Sequence, residues 1–132
     1  MMSALQLSAS RQGPSYAVTI RSGHHVVLAD AAADGLRGGT AMRPHELLAG
    51  AVAACVCITI DMAYAQLPPY RVDVRLDREG DVTEVDIDVF FLSAVPADLR
   101  ASVLKTARDC PVCRTLSRPV RIRACAAPAG ST

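Results

Sequence analysis

Tryptophan is absent from this chain of 132 residues, and two phenylalanines and three tyrosines supply all of its aromatic surface. Without a row of aromatic side chains there is no platform on which bases could stack. Charge of one sign is equally scarce: 14 Lys and Arg against 13 Asp and Glu leave a net charge of +1. No basic face is available to track phosphates, so nucleic acid is not expected as a partner. The opening residues, Met1-Met2-Ser3-Ala4-Leu5-Gln6-Leu7-Ser8, lack the charged and continuous apolar regions of a secretory leader, and a cytoplasmic location is expected. The longest apolar run, Leu47 to Ile60, is interrupted by Asp61 after 14 residues, short of the roughly 18 of a membrane span. No membrane is expected either.

What is present fits a single domain over residues 1–132, half of it hydrophobic (51%), with a frayed tail from Ala127. Two short β-rich runs, Tyr16 to Ile20 and His25 to Leu28, flank Ser22-Gly23 and read as a hairpin, with a further strand near Leu5 to Ser8. Asp30 to Thr40, rich in Ala and Gly, reads as a loop. A long helix is expected from Pro44, well suited to the first helical position, to about Gln66, stopped by Pro68-Pro69. Val72, Val74 and Leu76, then Val85, Ile87 and Val89, alternate with charged residues on either side of Glu79-Gly80-Asp81, the pattern of an antiparallel hairpin with one wet face. Pro96 opens a second helix with Leu99, Val103, Ala107 and Cys110 on one stripe, and Arg118 to Ala124 reads as a last strand with Val120 and Ile122 inward. Strands, helix, strands, helix, strand make an α+β domain, with antiparallel sheets packed around a long buried central helix. That helix is apolar all round, more than one small sheet can cover, which implies a homodimer.

Five cysteines, an odd number, in a reducing compartment suit free or catalytic thiols better than structural disulfides. Cys55 and Cys57 project about 200° apart on a helix, so this C-x-C cannot hold one metal ion. Cys55 shares its face with Val52, Thr59 and Met62, and Cys57 with Ala53, Ile60, Asp61 and Tyr64. Pro111 breaks the helix before it and is suited to starting a new turn, which places Cys110 at that turn's N-cap, with Arg108 and Arg114 nearby. Cys110-Pro111-Val112-Cys113 has the spacing of a dithiol redox motif, but it follows a helix rather than the strand of a thioredoxin-like unit. His24, His25 and His45 complete no zinc pattern, so neither a metal nor a cofactor is expected.

Pro44, Glu46, Leu47 and Leu48 ahead of Cys55 in a small-residue helix, Cys110-Pro111-Val112 closing the second helix, and the order of strands and helices together resemble the OsmC/Ohr family of thiol-dependent hydroperoxide reductases across essentially the whole chain. The resemblance implies an OsmC-like fold, an intertwined homodimer with active sites at the subunit interface, and reduction of organic hydroperoxides or hydrogen peroxide. It implies Cys55 as the peroxidatic thiolate and Cys110 as the resolving thiol, with electrons returned by a dithiol reductant, either a lipoylated protein or a small thiol. It gives Cys113 little to do.

The family's glutamate immediately after the proline is His45 here, with Glu46 one step further, and Arg11 lies in the Arg-x-Gly context of the arginine that pairs with the thiolate. Arg21, Arg37 and Arg43 are alternatives to it. Two other readings stand beside the peroxidase: a small-molecule-binding OsmC-like protein with little turnover, and a dithiol oxidoreductase using Cys110 and Cys113.

Overall fold

The computed structural model describes residues 4–11, 13, 16–31 and 39–129. Strand β1 (Ser8–Arg11) pairs antiparallel with β2 (Val18–Ser22), and β2 with β3 (His25–Ala29), in the order β1-β2-β3. Between β2 and β3 the chain turns at Gly23, whose φ of +60° is a conformation that L side chains resist. The first strand lies later than Leu5 to Ser8 because its register is set by β2, from Ser8 opposite Arg21 to Arg11 opposite Val18. Of the expected Asp30 to Thr40 loop, residues 32–38 lie outside the described chain, and so does Arg37. At its ends, the Asp30 carboxylate accepts the Ala31 N–H at 2.7 Å, the Thr40 N–H at 3.3 Å and the Thr40 hydroxyl, while the Asp30 N–H donates to the Met42 carbonyl at 3.0 Å. These bonds hold Asp30 well anchored below the usual carboxylate range, the Thr40 hydroxyl contributing most.

Helix α1 (Pro44–Ala63) starts at the expected proline. Its exposed first turn is tied by Glu46, whose Oε1 accepts the Arg43 N–H at 2.9 Å and the Arg43 Nε–H at 3.2 Å. The helix stops three residues before Gln66 because Tyr64 is extended (φ −129°, ψ 111°) and its phenol hydrogen-bonds Ser102 and Thr106, turning the chain before the prolines. Strands β4 (Tyr70–Asp77) and β5 (Glu84–Phe91) form the second, two-stranded antiparallel sheet, in register from Tyr70 opposite Phe91 to Asp77 opposite Glu84. Val72, Val74, Val85, Ile87 and Val89 turn to the core and the charged residues between them to the outside, as the alternation requires. Helix α2 (Ala97–Arg108), capped by Pro96, and the short α3 (Pro111–Leu116), capped by Cys110, complete the fold. The result is a mixed α+β architecture of small antiparallel sheets with a central helix.

The core lies where α1 meets α2 and the β4–β5 hairpin. Val52, Val56 and Ile60, four residues apart on one face of α1, are fully buried against Val103, Ala107 and Cys110. Removing each of the larger of these side chains from water contributes about 1.5–3 kcal/mol.

Two expectations meet a different structure. In the single chain α1 is not buried all round: Ile58 is 55% and Met62 82% exposed. By length and composition α1 would suffice to cross a membrane, since one charge at Asp61 does not end an apolar helix that continues through Ala63; its Val52-Val56-Ile60 stripe packs instead on protein. The segment from Arg118 to Ala124 is not a strand, and Val120 and Ile122, expected inward, are 65% and 88% exposed. Alternation suits a residue run to a sheet, but a strand forms only beside an edge that takes its N–H and C=O groups, and the described chain sets none against these residues. Ala127 to Ala129 are exposed, and the last three residues of the expected tail lie outside the described chain.

Candidate functional site

Cys55 sits midway along α1, half-buried, on the side facing α3. The four-residue spacing of a helix brings the Thr59 hydroxyl to 3.9 Å from its Sγ. From the other side, α3 brings the Val112 N–H, the Cys110 thiol and the Arg114 guanidinium near enough to favour the Cys55 thiolate. Burial is the largest single influence on this thiol and pushes it up. The Val112 N–H, Cys110, Thr59 and Arg114 together outweigh it, so that the net effect holds Cys55 below the ordinary thiol value.

Cys110 is fully buried at the N-cap of α3, the position that Pro111 assigns to it in the sequence. Its Sγ accepts the Cys113 N–H at 3.4 Å and lies 3.0 Å from the Cys113 Sγ. The Cys113 thiol is pushed up to about 12, by burial first and then by its hydrogen bond to Cys110 and the negative charges of Cys110, Cys55 and Asp109. Cys110 therefore stands between two other thiols, in contact with both. Cys57 lies apart: burial, and then Asp61, pushes its thiol up, and its carbonyl accepts the Tyr70 hydroxyl at 3.1 Å, which also reaches Asp61 Oδ1 at 2.6 Å. Cys125 is exposed, and all five cysteines are free.

Within the single chain, Glu46 and His45 do not reach this centre. Glu46 is engaged with Arg43 at the start of α1, and the Arg43 N–H and guanidinium hold its carboxyl below the usual range. His45 lines a shallow cleft with Arg43, Glu46, Ala49, Leu76 and Arg78. At 1.5 Å rise per residue both lie about 14 Å along α1 from Cys55, too far for direct contact. Arg11 is exposed at the end of β1, and Gln12 beside it lies outside the described chain. Among the described residues of the single chain, the cation that favours the Cys55 thiolate is Arg114; its place one turn of α3 beyond Cys110 is the signal the sequence carries. Thr59 was legible on the Cys55 face, whereas the closeness of Cys113 to Cys110 follows from N-cap geometry. Among the described residues no group of three or more His, Cys, Asp or Glu side chains is placed to hold a metal ion.

A thiol held low beside a second, buried thiol, where a central helix meets a capped turn, is the candidate site of this small α+β scaffold. The profile of the OsmC-like protein family matches residues 37–124, more than half of the chain. The chain belongs to that family. Among solved structures, it is similar to a protein from Psychrobacter arcticus assigned provisionally as an osmotic stress induced and detoxification response protein, at 20% identity and a TM-score of 0.70, covering 87% of this chain and 90% of that one. It is also similar to an OsmC-like protein from Mycoplasma pneumoniae, at 15% identity and a TM-score of 0.68, covering 89% of each chain. At these identities the likeness is one of fold. No curated protein matches the sequence.

Proposed function

We propose that the protein is a thiol-dependent hydroperoxide reductase of the detoxification type, with Cys55 as the thiolate that attacks peroxide and Cys110 as the thiol that resolves it. The observation that carries this reading is the net lowering of the Cys55 thiol by groups that include Cys110 itself. A thiolate at Cys55 attacks the terminal peroxide oxygen; the O–O bond breaks, the sulfur becomes sulfenic acid and the alcohol leaves with a proton. Cys110 then displaces the hydroxyl, which departs as water with the thiol proton, and a Cys55–Cys110 disulfide remains. A dithiol reductant restores both thiols. In this reading Arg114 does what the resemblance assigns to Arg11, while His45 and Glu46 serve the start of α1. The family's association and the similar Psychrobacter protein's assignment to detoxification agree with this chemistry.

The working unit is a homodimer in the cytoplasm. The exposed apolar face of α1, with Ile58 and Met62, and the unpaired alternating segment with Val120 and Ile122 are what a second copy would cover. Peroxide consumption tests the reading. Wild-type protein should consume cumene hydroperoxide in the presence of a dithiol, and Cys55→Ser should not, because a hydroxyl is a far poorer nucleophile at neutral pH. Equal consumption by both rejects it. The dithiol oxidoreductase is favoured as a second reading by the 3.0 Å approach of Cys110 and Cys113; it predicts disulfide exchange that survives Cys55→Ser.

A further inference from the structure

We infer that Cys113 is a third redox residue, to which Cys110 hands on the disulfide it forms with Cys55, so that the oxidised state ends as a Cys110–Cys113 bond and Cys55 returns as a free thiolate. The inference rests on the peroxidase reading for its oxidant, an organic hydroperoxide, and extends it to a residue that the two-thiol scheme leaves idle.

Three features place the step. Cys110 neighbours both other thiols, close enough to favour the Cys55 thiolate on one side and 3.0 Å from the Cys113 Sγ on the other. A disulfide requires about 2.05 Å between the sulfurs, so closing this pair takes a movement of about 1 Å. The two residues occupy the N-cap and third position of α3, where the Cys113 N–H already reaches the Cys110 sulfur at 3.4 Å; the turn needs no rebuilding. Finally, burial differs across the trio. Cys110 is fully buried, whereas Cys113 is partly exposed and lines a cleft of about 240 Å³ with Thr83, Val85, Ile87, Arg108 and Leu116. In a Cys55–Cys110 bond only the half-buried Cys55 sulfur is open to a dithiol reductant; a Cys110–Cys113 bond presents the Cys113 sulfur at that cleft.

In the exchange, the Cys113 thiol gives its proton to solvent, and its thiolate attacks the Cys110 Sγ. The Cys110–Cys113 bond forms, the Cys55–Cys110 bond breaks, and Cys55 leaves with the electron pair; one disulfide replaces another with no net oxidation. Cys55 suits the leaving position because its thiolate is stabilised in place by the Val112 N–H, Thr59 and Arg114. The reduced-state obstacle to ionising Cys113 lies partly in Cys110 and in the charge on Cys55. Both influences vanish once those two sulfurs are joined, leaving burial and Asp109.

The experiment uses the full chain as Cys125→Ser, which removes the exposed bystander thiol. Reduced protein receives an excess of cumene hydroperoxide without reductant; samples are quenched with N-ethylmaleimide over time and mapped by peptide mass spectrometry. The relay predicts a Cys55–Cys110 link that gives way to Cys110–Cys113, and uptake of about two equivalents of peroxide or more, because the freed Cys55 reacts again and then lacks a thiol to resolve it. Adding Cys113→Ser should hold the uptake at about one equivalent and leave the Cys55–Cys110 link in place. A Cys55–Cys110 link that persists with Cys113 present, with one equivalent consumed, overturns the relay and leaves the peroxidase standing. A parallel arm replaces peroxide with dithiodipyridine, an aromatic disulfide that loads Cys55 directly. If peroxide leaves every thiol free while this arm ends in Cys110–Cys113, the exchange stands and the peroxidase reading falls; if this arm stops at Cys55–Cys110, the relay is overturned independently of peroxide.

Discussion

Ile58→Ala separates a protein that works alone from one that works as a pair. Ile58 is 55% exposed on α1 in the single chain. If that face meets only water, the substitution is neutral or slightly stabilising, because alanine is the better helix former by a few tenths of a kcal/mol. If a second copy covers it, three carbon groups leave an apolar contact at about 0.8 kcal/mol each when fully buried, and about 1.5–2 kcal/mol for the partial burial of an interface edge. In a two-fold dimer every such position occurs twice. The expected loss is then about 3–4 kcal/mol per dimer, which weakens association by roughly a hundred- to a thousandfold. Sedimentation velocity across a concentration series reads the Kd, and thermal denaturation at two concentrations reads its coupling to folding. Ile60→Ala is the internal control: fully buried in the core of one chain, it should cost about 2–5 kcal/mol whatever the concentration. An Ile58→Ala protein with unchanged association, or a raised Tm, would refute a dimer built on this face.

Further expectations concern the site and its supports. Because the Cys55 thiol is held low and the Cys57 thiol is pushed up, alkylation by iodoacetamide, resolved by mass spectrometry, should reach half its plateau rate at lower pH for Cys55 than for Cys57; the reverse order would contradict the site electrostatics. Arg114→Gln should move the Cys55 profile to higher pH, whereas Arg11→Gln should leave it in place if Arg114 is the cation that matters; a shift with Arg11→Gln alone would return that role to the N-terminal arginine. Tyr70→Phe removes the hydroxyl that donates to Asp61 and to the Cys57 carbonyl, and should lower stability by about 1–2 kcal/mol in urea denaturation.

The parts of the fold written in local pattern were the legible ones. The charged–apolar alternation of 71–89 gave the β4–β5 hairpin its faces, because a period of two admits no other burial. Pro111 marked Cys110 as an N-cap before any contact was known, because proline ends one helix and suits the first turn of the next. What local pattern leaves open is which partner a segment meets. Val120 and Ile122 alternate as a strand does, yet pairing depends on an edge that the single chain does not set against them. Glu46 stood at a plausible distance from Cys55 along the sequence, but its carboxylate is used at the start of the helix, where the free N–H of Arg43 lies. Arg114 acts on Cys55 because α3 docks on α1, and a contact between residues 59 positions apart in sequence has no local signal; Thr59, on the same helix as Cys55, could be read from spacing.

Trapping of the first oxidised sulfur tests the central claim most directly. Cys110→Ser protein pulsed with cumene hydroperoxide in the presence of dimedone should carry the dimedone adduct on Cys55, since the sulfenic acid forms there and has lost the thiol that would resolve it. An adduct on another cysteine, or peroxide consumed with Cys55 left as an unmodified thiol, would contradict the assignment of Cys55 as the peroxide-reacting residue.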